Sequence, residues 1–178
     1  MASAFGHACA AFGIGKVYSG KKQAISFWVL SVICAVIPDA DTIGYKFGVP
    51  YDSTFGHRGF THSIVFALLM GLFASWIFTK INSAKKDKWK MAFYFFVVTL
   101  SLPLLDACTT GGLGVAFFSP FSNHRYFFPF HPIKVSPIAV NSFFSDWGLR
   151  VLLSEALWIG LPTLVLVLIA SLVRKGKV

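Results

Sequence analysis

The sequence has few acidic residues, few cysteines and few charges of any kind. Its 178 residues include 7 Asp and Glu against 16 Lys and Arg; only 13% are charged, whereas 56% are apolar. A typical soluble protein has about 25% charged residues. The 3 cysteines, Cys9, Cys34 and Cys108, form no CxxC pair and are odd in number, which argues against a disulfide framework. This composition is typical of a membrane protein.

The net charge of +9 does not indicate nucleic-acid binding. Most lysines lie beside apolar runs rather than among aromatic residues on a polar surface, so no nucleic-acid partner is expected. No basic segment precedes the apolar N-terminal stretch, and we expect this stretch to remain in the mature protein.

Apolar runs predict the membrane-spanning helices. A spanning helix needs about 20 mostly apolar residues, and residues 63–81, 91–108 and 151–173 meet this requirement. Residues 24–37 are a shorter run that Pro38 is expected to close, and residues 4–16 predict a short helix rich in Gly and Ala. We therefore predict an all-α integral membrane protein, a single membrane-embedded domain of about four to five helices.

The basic residues predict the orientation of these helices. Cytoplasmic loops carry the excess of Lys and Arg. If the helices alternate, one side receives Lys16, Lys21, Lys22, Lys80, Lys85, Lys86, Lys88, Lys90, Arg174, Lys175 and Lys177. The segments 38–62 and 109–150, both expected to be non-helical, then lie on the periplasmic side of the inner membrane. The second is so rich in aromatic residues that we expect an ordered cap that contacts membrane lipid.

Two aspartates follow the short apolar run, in the sequence PDAD. A non-helical backbone could aim the carboxylates of Asp39 and Asp41 at one point, and oxygen ligands so placed suit a divalent cation. The alternative is that Asp39 caps the next turn or pairs with Arg58.

Two histidines follow in the block HRGFTHS. His57 and His62 are five residues apart and do not share a helix face, so at least His57 should lie in a loop. A lone histidine here would be an interfacial hydrogen-bonding residue, but two histidines after two aspartates favour a metal site. Asp106 near a helix end and His7 near the start of the first helix should lie at the same membrane face, although Asp106 could instead reach interfacial water.

These features together resemble the LexA-regulated inner-membrane metal-dependent hydrolase family, also known as YdjM-like. The resemblance spans nearly the whole chain and depends most on PDAD and HRGFTHS, with the N-terminal histidine and the aspartate before TTGG in matching order. It implies six ligands for one or two divalent ions, with zinc or manganese favoured by the histidine content and magnesium possible. The implied ligands are His7, Asp39, Asp41, His57, His62 and Asp106, and the implied nucleophile is a metal-bound water.

Further residues could bind or protonate a substrate. Arg58 and Arg125 offer planar forks for phosphate oxygens, or could anchor to lipid headgroups. Thr109 and Thr110 precede two glycines that permit close backbone approach to a bound group.

Three more titratable residues have open roles. His124 and His131 could be acid/base groups, or simply polar residues of an aromatic loop. Glu155 could hold a ligand residue in place, be a ligand itself or be a buried neutral carboxyl group, and it is left out of the predicted ligand set.

We expect a membrane-bound metal-dependent hydrolase that cleaves a phosphoester of a lipid or polyprenyl phosphate at the exterior face. One alternative is a cation or proton-coupled transporter that uses the same Asp and His residues, although the opposite side offers only Asp87. Another is a membrane protein with a purely structural metal site. The sequence does not predict the oligomeric state.

Overall fold

The computed structural model describes residues 1–20, 22–82, 87–138 and 140–176, and in this part of the chain the regular structure is helical. Four predicted basic residues, Lys21, Lys85, Lys86 and Lys177, lie outside the described residues. The α-helices are α1 (Ala4–Tyr18), α2 (Ile25–Val36), α3 (Ile64–Asn82), α4 (Lys88–Asp106), α5 (Val140–Phe143), α6 (Asp146–Glu155) and α7 (Leu161–Lys175).

Four helical segments are long and apolar enough to cross a membrane. They are Ile25–Phe47, Ile64–Asn82, Lys88–Asp106 and Asp146–Lys175. This finding confirms the prediction of an all-α, multi-pass integral membrane protein. The last segment is one long helix, because a π-helical turn at Ala156–Gly160 joins α6 to α7.

Two of the predicted non-helical segments contain helix. We expected Pro38 to end the helical backbone, but a 3-10 helix runs directly on from α2 over Ile37–Phe47. Proline is tolerated in the first turn of a helix, where its missing N–H has no intrahelical partner. This helix ends at Gly48, whose φ of 73° gives a left-handed cap that glycine adopts without strain. The last long helix likewise begins at Asp146 rather than at Val151.

Aromatic packing holds the bundle together at membrane depth. Phe27 of α2 stacks on Tyr94 of α4 with ring centroids 4.7 Å apart, and Phe78 of α3 contacts both Phe27 and Phe95. Gly71 lets α3 lie directly on the α4 backbone, since an added Cβ there would come within 2.7 Å of the Ala92 carbonyl oxygen. The α3–α4 pair is thus a closely packed hairpin.

The helix directions place the candidate residues at one end of the bundle. The start of α1, the end of α2, the start of α3 and the end of α4 meet there. At the other end the Arg174 guanidinium donates to the carbonyl oxygens of Lys16 and Val17. The histidines and acids of the predicted site therefore lie at the end opposite these basic residues.

Candidate metal site

The first turn of α1 delivers His7 to the site. Ser3 caps the helix by accepting a hydrogen bond from the Gly6 amide at 3.3 Å. The His7 side chain is fully buried, and its Nε2 lies 3.4 Å from Asp106 Oδ1 and 3.7 Å from Asp39 Oδ2. His7 therefore joins Asp39 and Asp106, as its position in the sequence predicted.

Asp39 and Asp41 lie on the 3-10 helix, not on the non-helical backbone that we expected. Their carboxylates nevertheless reach two neighbouring parts of one cluster. Asp39 Oδ1 lies 3.4 Å from His62 Nε2, and Asp41 Oδ1 lies 2.6 Å from His57 Nδ1.

Asp41 is a hydrogen-bonding hub. Its Oδ2 accepts from the Thr61 hydroxyl at 2.6 Å and from the Arg58 backbone amide at 3.1 Å, and it lies 3.2 Å from His62 Nδ1. With Oδ1 occupied by His57, both carboxylate oxygens have protein partners. The Nδ1 atoms of the two histidines thus face Asp41, which leaves their Nε2 atoms for another partner.

A tight turn positions the HRGFTHS block. An added Cβ at Gly56 would lie 2.2 Å from the Pro50 carbonyl oxygen, and one at Gly59 would lie 2.3 Å from that of Thr54. Between these glycines Arg58 has a φ of 61°, a left-handed conformation that is costly for a residue with a side chain. Such strain persists only where surrounding contacts fix it, here the bonds of the Arg58 backbone to Asp41 and Ala116.

The centre of the cluster contains buried polar atoms without hydrogen-bond partners. Among the described residues these include both ring nitrogens of His7, both carboxylate oxygens of Asp39, Nε2 of His62 and Oδ2 of Asp106. Buried polar groups are nearly always satisfied, so a convergent set of unsatisfied nitrogen and oxygen atoms needs an explanation. A divalent cation supplies one, because imidazole nitrogen and carboxylate oxygen are its usual ligands.

The spacing of the donors fits an ion. One ligand atom each from Asp39, His57 and His62 lies within 4.8 Å of the others, so this group could hold a metal ion. His7 and Asp106 extend it, since His62 Nε2 is also 3.7 Å from Asp106 Oδ2. Only the Asp39 side chain, at 10% exposure, is appreciably open among these five.

The electrostatics of the cluster favour cations. Burial alone would lower the pKa of His62, but the hydrogen bonds and charges of Asp39 and Asp41 outweigh it and raise the pKa from 6.5 to about 9. The raised pKa indicates that the carboxylates around His62 favour a positive charge at this position.

The two predicted anion binders are engaged with the protein. The fully buried Arg58 guanidinium donates to the Gly111 carbonyl at 2.9 Å and to the Thr109 hydroxyl at 3.0 Å, and its Nε lies 3.2 Å from Asp106 Oδ2. Arg125 donates to three carbonyl oxygens, those of His57, Tyr51 and Ser53. These contacts favour a positioning role for both guanidiniums over direct contact with a substrate.

The remaining predicted site residues differ in their distance from the cluster. Thr109 is buried and donates to the Asp106 carbonyl at 2.7 Å, whereas Thr110 is exposed and accepts from the Val135 amide. His124 and His131 are exposed and pack edge-to-face on Tyr126 and Phe127. Among the described contacts, neither histidine reaches the cluster.

Two roles that the structure shows were not assigned from the sequence. Glu155 accepts hydrogen bonds from the Ser3 amide and hydroxyl, the latter at 2.5 Å, and so anchors the start of α1 to the last helix. The partners are 152 residues apart, and no local pattern links them. Thr61 binds Asp41, and its position in the HRGFTHS block was the only signal.

Long apolar helices with a buried His and Asp group at one end define an all-α, multi-pass membrane protein with a candidate metal site. The whole chain, residues 1–178, matches the family model described as YdjM inner membrane protein, and the chain belongs to this family. It is 38% identical to the inner membrane protein YbcI of Escherichia coli (strain K12) over 166 residues, which cover 93% of this chain and 95% of that protein. No solved structure matches the chain. The family resemblance expected from the sequence is thereby confirmed.

Proposed function

We propose that this protein is a membrane-bound, metal-dependent hydrolase that cleaves a phosphoester of a lipid or polyprenyl phosphate at the periplasmic face of the inner membrane. The observation that carries the proposal is the convergence of unsatisfied nitrogen and oxygen atoms from His7, Asp39, His62 and Asp106. A divalent ion bound there would supply Lewis acidity and an activated water at neutral pH. Zinc or manganese suits the mixed donors best, and magnesium is less suited to imidazole.

The residues of the cluster divide into ligands and supports. His7, Asp39, His57, His62 and Asp106 are the proposed ligands, enough for one ion or for two that share a carboxylate. Asp41, the sixth predicted ligand, instead holds the rings of His57 and His62 through their Nδ1 atoms, as carboxylates commonly do behind metal-bound histidines.

Arg58 and Arg125 support the choice of an anionic substrate. Their hydrogen bonds are directed to the protein, but their charges remain beside the cluster and favour a phosphate over a neutral group. Arg58 also balances the charge of the buried Asp106 carboxylate. The site end of the bundle is the end at which the positive-inside rule predicts the periplasm, where lipid headgroups are accessible.

A structural metal ion is the second candidate, favoured by the burial of the cluster. His7, His62 and Asp106 are fully buried, and structural sites are closed whereas catalytic sites keep one position open. A transporter is less well supported, because the sequence offers only Asp87 at the opposite end, where it caps α4 and pairs with Lys90 at 3.4 Å.

The test is to purify the protein, measure bound metal, and assay a panel of phospholipids and prenyl phosphates. We expect Asp39→Ala and His62→Ala to lose both metal and hydrolysis. Asp52→Asn is the matched control, since Asp52 is an exposed acid near the same end but outside the cluster. Metal retained in both cluster variants would refute the site. Metal loss with no hydrolysis by the wild type would favour the structural ion.

A further inference from the structure

An apolar groove lies between α1, α4 and α7 on one side of the bundle. Its volume is about 500 Å³, and Ile14, Val97, Leu104, Trp158 and Leu166 are among its lining residues. That volume falls within the range of about 300–1,000 Å³ that is usual for sites that bind small molecules.

The close packing of α7 on α1 creates this groove. Gly13 brings the two helices together, since an added Cβ there would lie 2.2 Å from a Thr163 methyl carbon. α1 forms the floor, and α4 and α7 form the two walls. The groove therefore faces the hydrocarbon region of the membrane rather than the centre of the bundle.

One end of the groove lies next to the candidate metal site. Ala10 follows His7 by one turn of α1, and Leu105 directly precedes Asp106. On α4 the lining extends from Leu105 back to Phe93, 12 residues or about 18 Å along the axis at about 1.5 Å per residue. One leaflet of the hydrocarbon core is about 15 Å deep. The groove thus extends from the metal site through the depth of a leaflet.

The cross-section decides what can occupy the groove. A water molecule can move its centre through about 500 Å³, which over a length of about 18 Å gives a cross-section of about 28 Å², or about 6 Å across. Adding one water diameter of about 2.8 Å gives a free width of about 9 Å. A helix of a second copy, about 10–12 Å in diameter, is too wide. An extended hydrocarbon chain is the occupant that fits both the width and the apolar lining.

We infer that this groove binds the hydrocarbon chain of a phosphorylated amphiphile while its phosphate lies at the His and Asp cluster. The inference rests on the proposed function, to which it adds a substrate class: a phosphoester attached to a long chain, rather than a soluble phosphoester. The chain fixes the depth and direction of the substrate, and the metal site acts at the end of the groove.

The first test is independent of catalysis. The protein is reconstituted in phosphatidylcholine vesicles that contain phosphatidic acid with a photoreactive diazirine in its acyl chain, and labelled residues are mapped by mass spectrometry. We expect labels at Ser101 and Thr163 at least five times more often than at Leu69, which is exposed on α3. Excess unlabelled phosphatidic acid should compete with this labelling. Equal labelling of the groove and of α3 would mean ordinary surrounding lipid and would overturn the inference.

A groove-filling variant provides the second readout. Ser101→Trp should remove the preferential labelling without loss of bound metal, and Leu69→Trp is the control of equal size on the exposed face of α3. If Ser101→Trp fails to fold, Thr163→Trp can replace it. This variant fills the groove from the opposite wall and should have the same effect. Preferential labelling that survives in a folded groove-filling variant would contradict the inference.

Hydrolysis of a series of alkyl phosphodiesters separates this inference from the proposed function. We expect the KM of the wild type to fall by up to about fourfold per added methylene group while the chain still fits the groove, and Ser101→Trp to reduce the preference for long chains. Hydrolysis that does not depend on chain length, with uniform labelling, would refute the groove and retain the hydrolase. Preferential labelling without hydrolysis of any substrate would refute the hydrolase and retain the groove.

Discussion

The role of Asp41 can be tested by exchanging one oxygen atom for nitrogen. In Asp41→Asn the amide oxygen can accept from only one side of the present network, and the NH₂ group must face the other. If the amide oxygen keeps the hydrogen bonds from Thr61 and from the Arg58 amide, the NH₂ group faces His57 Nδ1. In the unchanged protein this nitrogen lies 2.6 Å from Asp41 Oδ1. The His57 proton is then driven to Nε2, which must lose this proton before it can bind a metal ion.

The expected effect is weaker binding rather than loss of the site. Loss of a carboxylate behind a metal-bound histidine typically costs about 10–100-fold in metal affinity, or about 1.4–2.8 kcal/mol at about 1.4 kcal/mol per tenfold. We therefore expect Asp41→Asn to bind the same number of ions as the wild type at saturation, with Kd raised by about that factor. Asp39→Asn, which changes a proposed ligand, should lower the number of ions bound.

Calorimetric titration of the purified, metal-stripped protein with zinc and with manganese measures both the Kd and the number of ions bound. Asp52→Asn provides the matched control and should bind as the wild type does. The reasoning is refuted if Asp41→Asn loses a bound ion while Asp39→Asn retains the full number, because the two aspartates would then have the opposite roles.

Three further predictions concern charge, pH and the aromatic loop that contains His124 and His131. Arg58→Ala removes the guanidinium beside the buried Asp106 carboxylate, although the Ala2 amide, the N-terminal ammonium and His7 remain near it. The free energy of unfolding should therefore fall, but by less than the about 3–5 kcal/mol typical of a buried charge left unpaired. The thermal midpoint in detergent measures this change, and an unchanged midpoint would contradict a stabilising ion pair. Metal binding should release a proton from His62, because the proton and the metal ion compete for the same ring. The metal affinity should therefore fall by up to about tenfold per pH unit as the pH decreases below about 9. Calorimetry in buffers of different ionisation enthalpy measures this release, and its absence would mean that His62 is already neutral. His124→Ala and His131→Ala should leave bound metal and hydrolysis within about twofold of wild type, since both rings are exposed and contact only other aromatic rings of the loop.

The sequence predicted the membrane spans and the end of the bundle at which the polar residues gather. Both follow from local properties: the length of an apolar run, the excess of lysine at one set of helix ends, and the position of each His or Asp relative to those ends. His7 and Asp106 are 99 residues apart, yet their contact was predictable because helix length and direction bring both to the same face.

The details that were not predicted depend on contacts between distant segments. PDAD was expected to be non-helical, but Pro38 lies in the first turn of a 3-10 helix, where proline is tolerated. Spacing alone could not reveal that Asp39 faces the centre of the cluster while Asp41 faces the back of two histidines. Nor could it reveal that Gly111 and Thr109, more than 50 residues away, engage the Arg58 guanidinium.

The order in which the chain is synthesised gives the site a further property. Its proposed donors come from α1, the 3-10 helix, the HRGFTHS turn and the end of α4, so the fifth donor, Asp106, emerges only after more than half of the chain has been translated. Until α4 has entered the membrane, the earlier histidines and aspartates can bind an ion only incompletely. If the proposed site binds a metal ion, complete coordination would therefore require that the first four helices have been inserted with the correct topology.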